Sequence, residues 1–165
     1  METARVLGRR MAELGVGLVY GGGGIGLMGV VADAVLESGG EVIGVIPDGL
    51  AVDEVMHPAV TEMRIVSDMH VRKAQMHALA DAYIALPGGV GTFEELFEVL
   101  AWRQLKIHAT PVGVLDVQGF FGPFLQLIET SVSEGFMTPA NRNLFVLDDD
   151  PAVLLDRVLE MAEAI

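Results

Sequence analysis

The feature that most constrains this chain is a regular alternation of strand and helix signals with glycine-rich turns at the switches. Short apolar, β-branched runs fall at 18–20, 41–46, 63–66, 82–86, 111–117 and 144–147. Helical patterns separate them at 3–14, 27–38, 68–80, 93–105 and 120–134, and a last one, 151–164, follows the acidic cap Asp148-Asp149-Asp150. Alternating β and α predicts a parallel sheet, and a parallel sheet is covered by helices on both faces. The expected fold is therefore α/β, a doubly wound parallel sheet. No linker, low-complexity stretch or internal repeat interrupts it, so residues 1–165 read as one domain whose longest loop is 47–60.

Composition narrows the function. With 52% hydrophobic and 20% charged residues, the chain is too apolar to be disordered. No apolar run approaches the roughly 20 residues of a membrane helix. The first residues also lack a basic segment leading into an apolar one, so a soluble, cytoplasmic protein is expected. The absence of cysteine excludes disulfides, thiolate metal sites, iron–sulfur clusters and cysteine nucleophiles. A net charge of −13 disfavours a nucleic-acid surface, which needs many cations to displace counterions. A small anion remains compatible. Arg64, Arg72, Lys73, Arg103, Lys106 and Arg142 crowd the middle of the chain, as a local positive pocket or as scattered solubilising charge.

In such a sheet the turns that follow the strands share one edge, where ligands bind. That edge should carry residues 21–26, 48–54, 67–72, 87–95 and Asp116. The first turn, Gly21-Gly22-Gly23-Gly24-Ile25-Gly26-Leu27-Met28-Gly29, satisfies G-x-G-x-x-G in two registers. Dinucleotide binding also wants an acid at the end of the next strand, and Glu41 instead begins it. A tight packing turn and a phosphate or ribose contact are both compatible with these glycines.

The second turn, Leu86-Pro87-Gly88-Gly89-Val90-Gly91-Thr92-Phe93-Glu94-Glu95, also joins a strand to a helix. Without a terminal Gly-Lys-Ser/Thr it is not a nucleoside-triphosphate loop, but its amides suit a monophosphate. Thr92-Phe93-Glu94-Glu95 fits a capping box in which Glu95 reaches back to the Thr92 amide. Alternatively, Glu95 beside a phosphate cradle could orient water or stabilise positive charge on a sugar ring, a task Glu94 or Glu98 could also serve.

The helix opening at Ser67-Asp68-Met69-His70-Val71-Arg72-Lys73 places Met69, Arg72 and Met76 on one face. Arg72, near its start, can grip a phosphate or carboxylate bidentately or sit in a surface ion pair. His57, His70, His77 and His108 form no metal-binding spacing, so no metal is expected. No serine sits in G-x-S-x-G, which sets the serine hydrolases aside.

Taken together, Pro87-Gly88-Gly89-Val90-Gly91-Thr92-Phe93-Glu94-Glu95 and Ser67-Asp68-Met69-His70-Val71-Arg72-Lys73 closely resemble the Lonely Guy family of cytokinin-activating phosphoribohydrolases, long labelled lysine decarboxylases. The likeness extends through Val19-Tyr20-Gly21-Gly22-Gly23, Gly26-Leu27-Met28-Gly29, Gly44-Val45-Ile46-Pro47, Trp102-Arg103-Gln104-Leu105 and Glu134-Gly135-Phe136. The resemblance implies a Rossmann-like fold, usually homodimeric and sometimes larger. It implies hydrolysis of the N-glycosidic bond of a nucleoside 5′-monophosphate, AMP or an N6-modified relative, to free base and ribose 5-phosphate without a cofactor. It makes Arg72 and Glu95 catalytic, and gives the phosphate to Gly88, Gly89, Val90, Gly91 and Thr92. Lys73, Glu94, Gly22 and Gly23 become further substrate contacts, as does Glu54 in the loop before the third strand.

The family usually opens with a strand ending in a Cys-Gly-Ser-type turn, whereas Met1 here falls in the first helix. That strand is expected to be missing, flanked in the usual order by the strands around Leu18 and Met63, with an upstream start or altered pairing as the remedy. Two other functions compete. A non-catalytic nucleotide or molybdenum-cofactor carrier shares the sheet and glycine turns. A pyridoxal-phosphate decarboxylase would need Lys73 or Lys106 as its Schiff base, and neither lies in a recognisable motif.

Overall fold

The computed structural model describes residues 1–164, which form two compact units, one over residues 1–80 and one over residues 81–164. Each carries a three-stranded parallel sheet whose strands lie in sequence order.

In the first unit, β1 (Leu18–Tyr20) pairs with β2 (Val42–Pro47), and β2 with β3 (Glu62–Val66). The middle strand is buried at every residue except the half-buried Ile43, as a strand flanked on both sides requires. β3 is an edge, with Glu62 and Ile65 exposed. Gly44 sits where β2 meets both neighbours; a Cβ there would lie 2.9 Å from Gly22 Cα and 2.9 Å from Met63 Sδ.

Helices α1 (Glu2–Glu13) and α2 (Gly26–Glu37) pack against each other. Ala4, Leu7 and Met11, at helical spacing, form the buried stripe of α1. Gly8 sets the approach, because a Cβ would stand 2.7 Å from both the Ala34 Cβ and the Val31 carbonyl oxygen. Helix α3 (Met69–Leu79) begins where expected: the Asp68 carboxylate caps it, accepting from the His70 and Val71 amides at 2.8 and 2.9 Å.

One expectation about the strand order is corrected. β1 and β3 stand on opposite edges of this sheet with β2 between them, so no single strand could ladder to both.

In the second unit, β4 (Tyr83–Ala85), β5 (Val112–Leu115) and β6 (Val146–Asp148) form the sheet. The helices are α4 (Val90–Gln104), α5 (Gly122–Ser133) and α6 (Pro151–Glu163). Successive residues of β5 face opposite sides. Val112 and Val114 join Leu96, Val99 and Leu100 of α4 and Phe124 and Ile128 of α5 in one core. Gly113 meets Leu154 and Val158 of α6 on the other face, where a Cβ would lie 2.9 Å from the Val158 side chain. Helices thus cover both faces. Each fully buried Val or Leu contributes about 1.5–3 kcal/mol. Asp150 and Pro151 start α6 at the expected residue, the carboxylate accepting from the amides of Ala152 and Val153.

The last strand, expected from Leu144, begins at Val146, because Leu144 closes a 3-10 turn over Pro139–Leu144. No helix among the described residues is long and apolar enough to cross a membrane.

Candidate functional site

In the first unit, the chain leaves β1 into the glycine turn, which is tightly packed. Gly22 and Gly26 take φ of +78° and +68°, a region costly for other L-residues. Gly29, in the first turn of α2, abuts the loop itself; a Cβ there would stand 2.2 Å from the Gly24 carbonyl oxygen. The loop's polar backbone is used as well. The Gly24 amide donates to the Val55 carbonyl at 2.8 Å, the His57 amide donates to the Gly22 carbonyl at 2.9 Å, and Gly23 bridges Met56 in antiparallel fashion. The segment 55–57 thereby lies antiparallel along the turn, Val55 on Gly24 and His57 on Gly22, and exposed Glu54 immediately precedes it. The packing function of these glycines is thus realised in the structure. Glu41 marks the amino end of β2, its carbonyl accepting from Leu18 at 2.9 Å, the wrong end to hold a ribose.

The clasp between turn and loop has a side-chain anchor that the sequence did not single out. His57 is 5% exposed. Its Nδ1 accepts from the Ala59 amide at 3.2 Å, which leaves the proton on Nε2 to donate to Asp33 Oδ1 of α2 at 3.0 Å. Tyr20, at the end of β1, is also buried; burial, followed by the charge of Asp33, pushes its phenol well above the usual range.

Arg72 enters this unit's strand ends from the first turn of α3. Its Nε donates to the Val45 carbonyl of β2 at 3.1 Å, and its Nη1 reaches Met69 Sδ at 3.1 Å. A Cβ on Gly21 would lie 2.3 Å from Arg72 Nη2, so glycine is what lets the guanidinium lie against the end of β1. Lys73, the next residue, is half-buried. The helix presenting both is set by Asp68, whose carboxyl is held below its usual range by the Val71 amide, the Ser67 hydroxyl and the His70 amide.

Three of the other mid-chain cations are engaged within their own units. Arg64 makes two hydrogen bonds to Glu62 at 2.8 and 3.2 Å, and Arg142 makes two to Glu129, both at 2.7 Å. Arg103 donates to the Thr110 carbonyl at 2.6 Å.

In the second unit, the turn after β4 differs from the first. The helix was expected to begin at Phe93 with Thr92 and Glu95 as a capping box. Instead α4 begins at Val90 with Gly89 as N-cap and no side-chain cap, which overturns the capping box. The first intrahelical bond runs from the Phe93 amide to the Gly89 carbonyl at 3.1 Å, so the amides of Val90, Gly91 and Thr92 precede the ladder. Thr92 falls in this first turn with its hydroxyl toward Gly88; a Cβ on Gly88 would lie 2.1 Å from Thr92 Oγ1.

Gly89 and Gly91 face open space: a Cβ on either meets nothing within 4 Å, and Gly89 has an ordinary φ of −101°. Neither packing nor conformation asks for glycine there, and a helix favours alanine over glycine by up to about 1 kcal/mol. What these glycines preserve is backbone access at the positive end of a 15-residue helix. One turn further along α4, Glu95 and Glu98 are half-buried while Glu94 is exposed. Phe93 stacks on Phe120, with ring centres 6.3 Å apart, tying this turn to the one after β5. Asp116, directly after β5, accepts from the Phe121 amide at 2.7 Å. Among the described residues, no group of three or more histidines and carboxylates is placed to hold a metal.

A family profile described as "possible lysine decarboxylase" matches residues 28–158. The cytokinin riboside 5′-monophosphate phosphoribohydrolase LOG of Oryza sativa subsp. japonica is 54% identical over 145 residues, 88% of this chain and 60% of its own length. A probable enzyme of the same name from that plant is 48% identical over 159 residues, 96% of this chain and 65% of its own. The chain thus spans 60–65% of the length of these two relatives. Among solved structures, the molybdenum cofactor binding protein of Rippkaea orientalis matches with a TM-score of 0.73 at 19% identity, covering 97% of this chain and 86% of that one. The Moco carrier protein of Chlamydomonas reinhardtii matches at 0.70 and 24% identity, covering 99% and 88%. These two share the fold.

Proposed function

This chain belongs to the Lonely Guy family, matched by the profile described as possible lysine decarboxylase, and from that membership we propose that it is a nucleoside 5′-monophosphate phosphoribohydrolase. The reaction cleaves the C1′–N bond: water adds to C1′, the base leaves with a proton, and ribose 5-phosphate remains. The substrate class is a cytokinin riboside 5′-monophosphate, the compound in the relatives' names, or the parent ribotide AMP. The observation that carries the proposal is the pair of glycines, Gly89 and Gly91, held open at the start of α4.

In this reading the Val90, Gly91 and Thr92 amides, with Gly88 and Gly89, take the 5′-phosphate. Half-buried Glu95 stabilises the oxocarbenium-like ribosyl centre and orients the attacking water. Arg72 positions the nucleotide and assists departure of the base. Lys73, Glu54, Glu94, Gly22 and Gly23 contribute further substrate contacts. One nucleotide-binding domain, acting as a cytoplasmic homodimer, completes the reading.

The decarboxylase chemistry in the family description would need a lysine to hold pyridoxal phosphate. Lys106 is exposed in a left-handed conformation just past α4, and Lys73 belongs to the arginine-bearing turn of α3, so neither supports that alternative. A carrier role is distinguished by turnover. Incubation with AMP and with isopentenyladenosine 5′-monophosphate, followed by chromatography, should yield free base and ribose 5-phosphate in equal amounts. Glu95→Ala should abolish release while the protein stays folded. Recovery of intact nucleotide from active-concentration, folded wild-type protein would refute hydrolysis.

A further inference from the structure

We propose that His57 and Asp33 are positioning residues for the nucleotide, a pair that clamps the segment carrying Glu54 onto the first glycine turn. The inference rests on the phosphoribohydrolase reading for Glu54 as a substrate contact, while the clamp itself is a matter of geometry. Glu54 is exposed on a loop outside any strand or helix, and a loop carboxylate needs a fixed backbone to hold a ligand at one place. Two backbone hydrogen bonds, which together make one isolated antiparallel bridge, join residues 55–57 to residues 22–24. So short a ladder is weak by itself.

Buried His57 anchors it, adding two side-chain bonds to the amide bond already in the ladder. Its amide holds Gly22, its Nδ1 takes the Ala59 amide and so fixes the exit of the loop, and its Nε2–H reaches across to Asp33 on α2. Asp33 leaves most of its side chain in solvent, at 61% exposure, and takes no part in the core. Its position is explained by the imidazole it receives. The arrangement resembles the orientation of a reactive group by a second residue: the carboxylate fixes the ring's tautomer, and the ring fixes the loop.

The side chains separate the two linkages. Glutamine at 57 can return a donor to Asp33, whereas asparagine can accept from the Ala59 amide but is too short for Asp33. AMP affinity is measured by calorimetry on the full chain, with hydrogen exchange at the Gly24 and His57 amides recorded alongside. Asp33→Ala and His57→Asn should each speed that exchange and weaken AMP about fivefold, with kcat within about twofold of the parent. His57→Gln should recover most of the affinity. Glu54→Gln should weaken AMP similarly in the parent, yet add little in the Asp33→Ala background, because the carboxylate is already misplaced.

Parent-like AMP affinity in Asp33→Ala, whatever its exchange, would overturn the proposal, as would fully additive effects of Asp33→Ala and Glu54→Gln. Failure of the underlying reading looks different: the parent itself would release no base, or release would survive Glu95→Ala. A parent that neither binds nor cleaves AMP would overturn both.

Discussion

The two glycine turns look alike in sequence, each closing a strand and opening a helix, yet the fold uses them in opposite ways. In the first, glycine is demanded by structure: positive φ at Gly22 and Gly26, and Gly29 pressed on the Gly24 carbonyl, with residues 55–57 laddered over the loop. In the second, Gly89 and Gly91 satisfy no steric or conformational requirement and stand open beside three helix-start amides. A glycine motif therefore signals a ligand most strongly where the fold has no other use for the missing side chain.

The comparison is open to attack by substitution, beginning with the largest effect. Gly29→Ala places a methyl 2.2 Å from a carbonyl oxygen, which only backbone movement can relieve. It should cost about 3 kcal/mol or more by chemical denaturation. A parent-like midpoint would show that the first turn is less packed than described. Next is Gly91→Ala, which should leave stability unchanged or raise it by up to about 1 kcal/mol. It should nevertheless weaken AMP by about tenfold, since the methyl stands where the phosphate approaches. Coupled loss of stability and binding would erase the distinction between the turns.

Gly26→Ala should be milder than Gly29→Ala, because nothing lies within 4 Å of its Cβ and only φ of +68° opposes the change. A loss of about 1–2 kcal/mol is expected in thermal unfolding. The smallest effect concerns Asp68, the cap of the helix that presents Arg72. Its lowered pKa means that its contribution is complete above the ordinary aspartate value of about 3.9 and is lost as pH falls through the lower folded value. Asp68→Asn should therefore lower stability modestly at neutral pH and converge with the parent in acid, which flattens the acid limb of the stability profile; an unchanged acid limb would count against this role.

Much of the fold was legible because its signals are local. Asp68 and Asp150 announce α3 and α6 by capping the amides two and three residues on, and the β-branched runs place the strands to within a few residues. The start of α4 was not legible. Gly89 caps it through backbone alone, and Thr92-Phe93-Glu94-Glu95 carries the composition of a capping box while lying inside the helix. Arg72 near the strand ends followed from a helix that starts after β3. The His57 clasp could not be foreseen, since it joins residues 24 positions apart through a single ring and a non-periodic bridge. A histidine sought as a metal ligand gives no hint of that use. The nearest signal was the length of the loop at 47–60, which needed something to hold it.

The most direct test of the account is amide chemical-shift mapping of the full chain during titration with AMP. The account predicts the largest perturbations at Val90, Gly91 and Thr92, with smaller ones at Gly22 and Gly23. Perturbations concentrated at residues 22–24, with Val90, Gly91 and Thr92 unmoved, would contradict it.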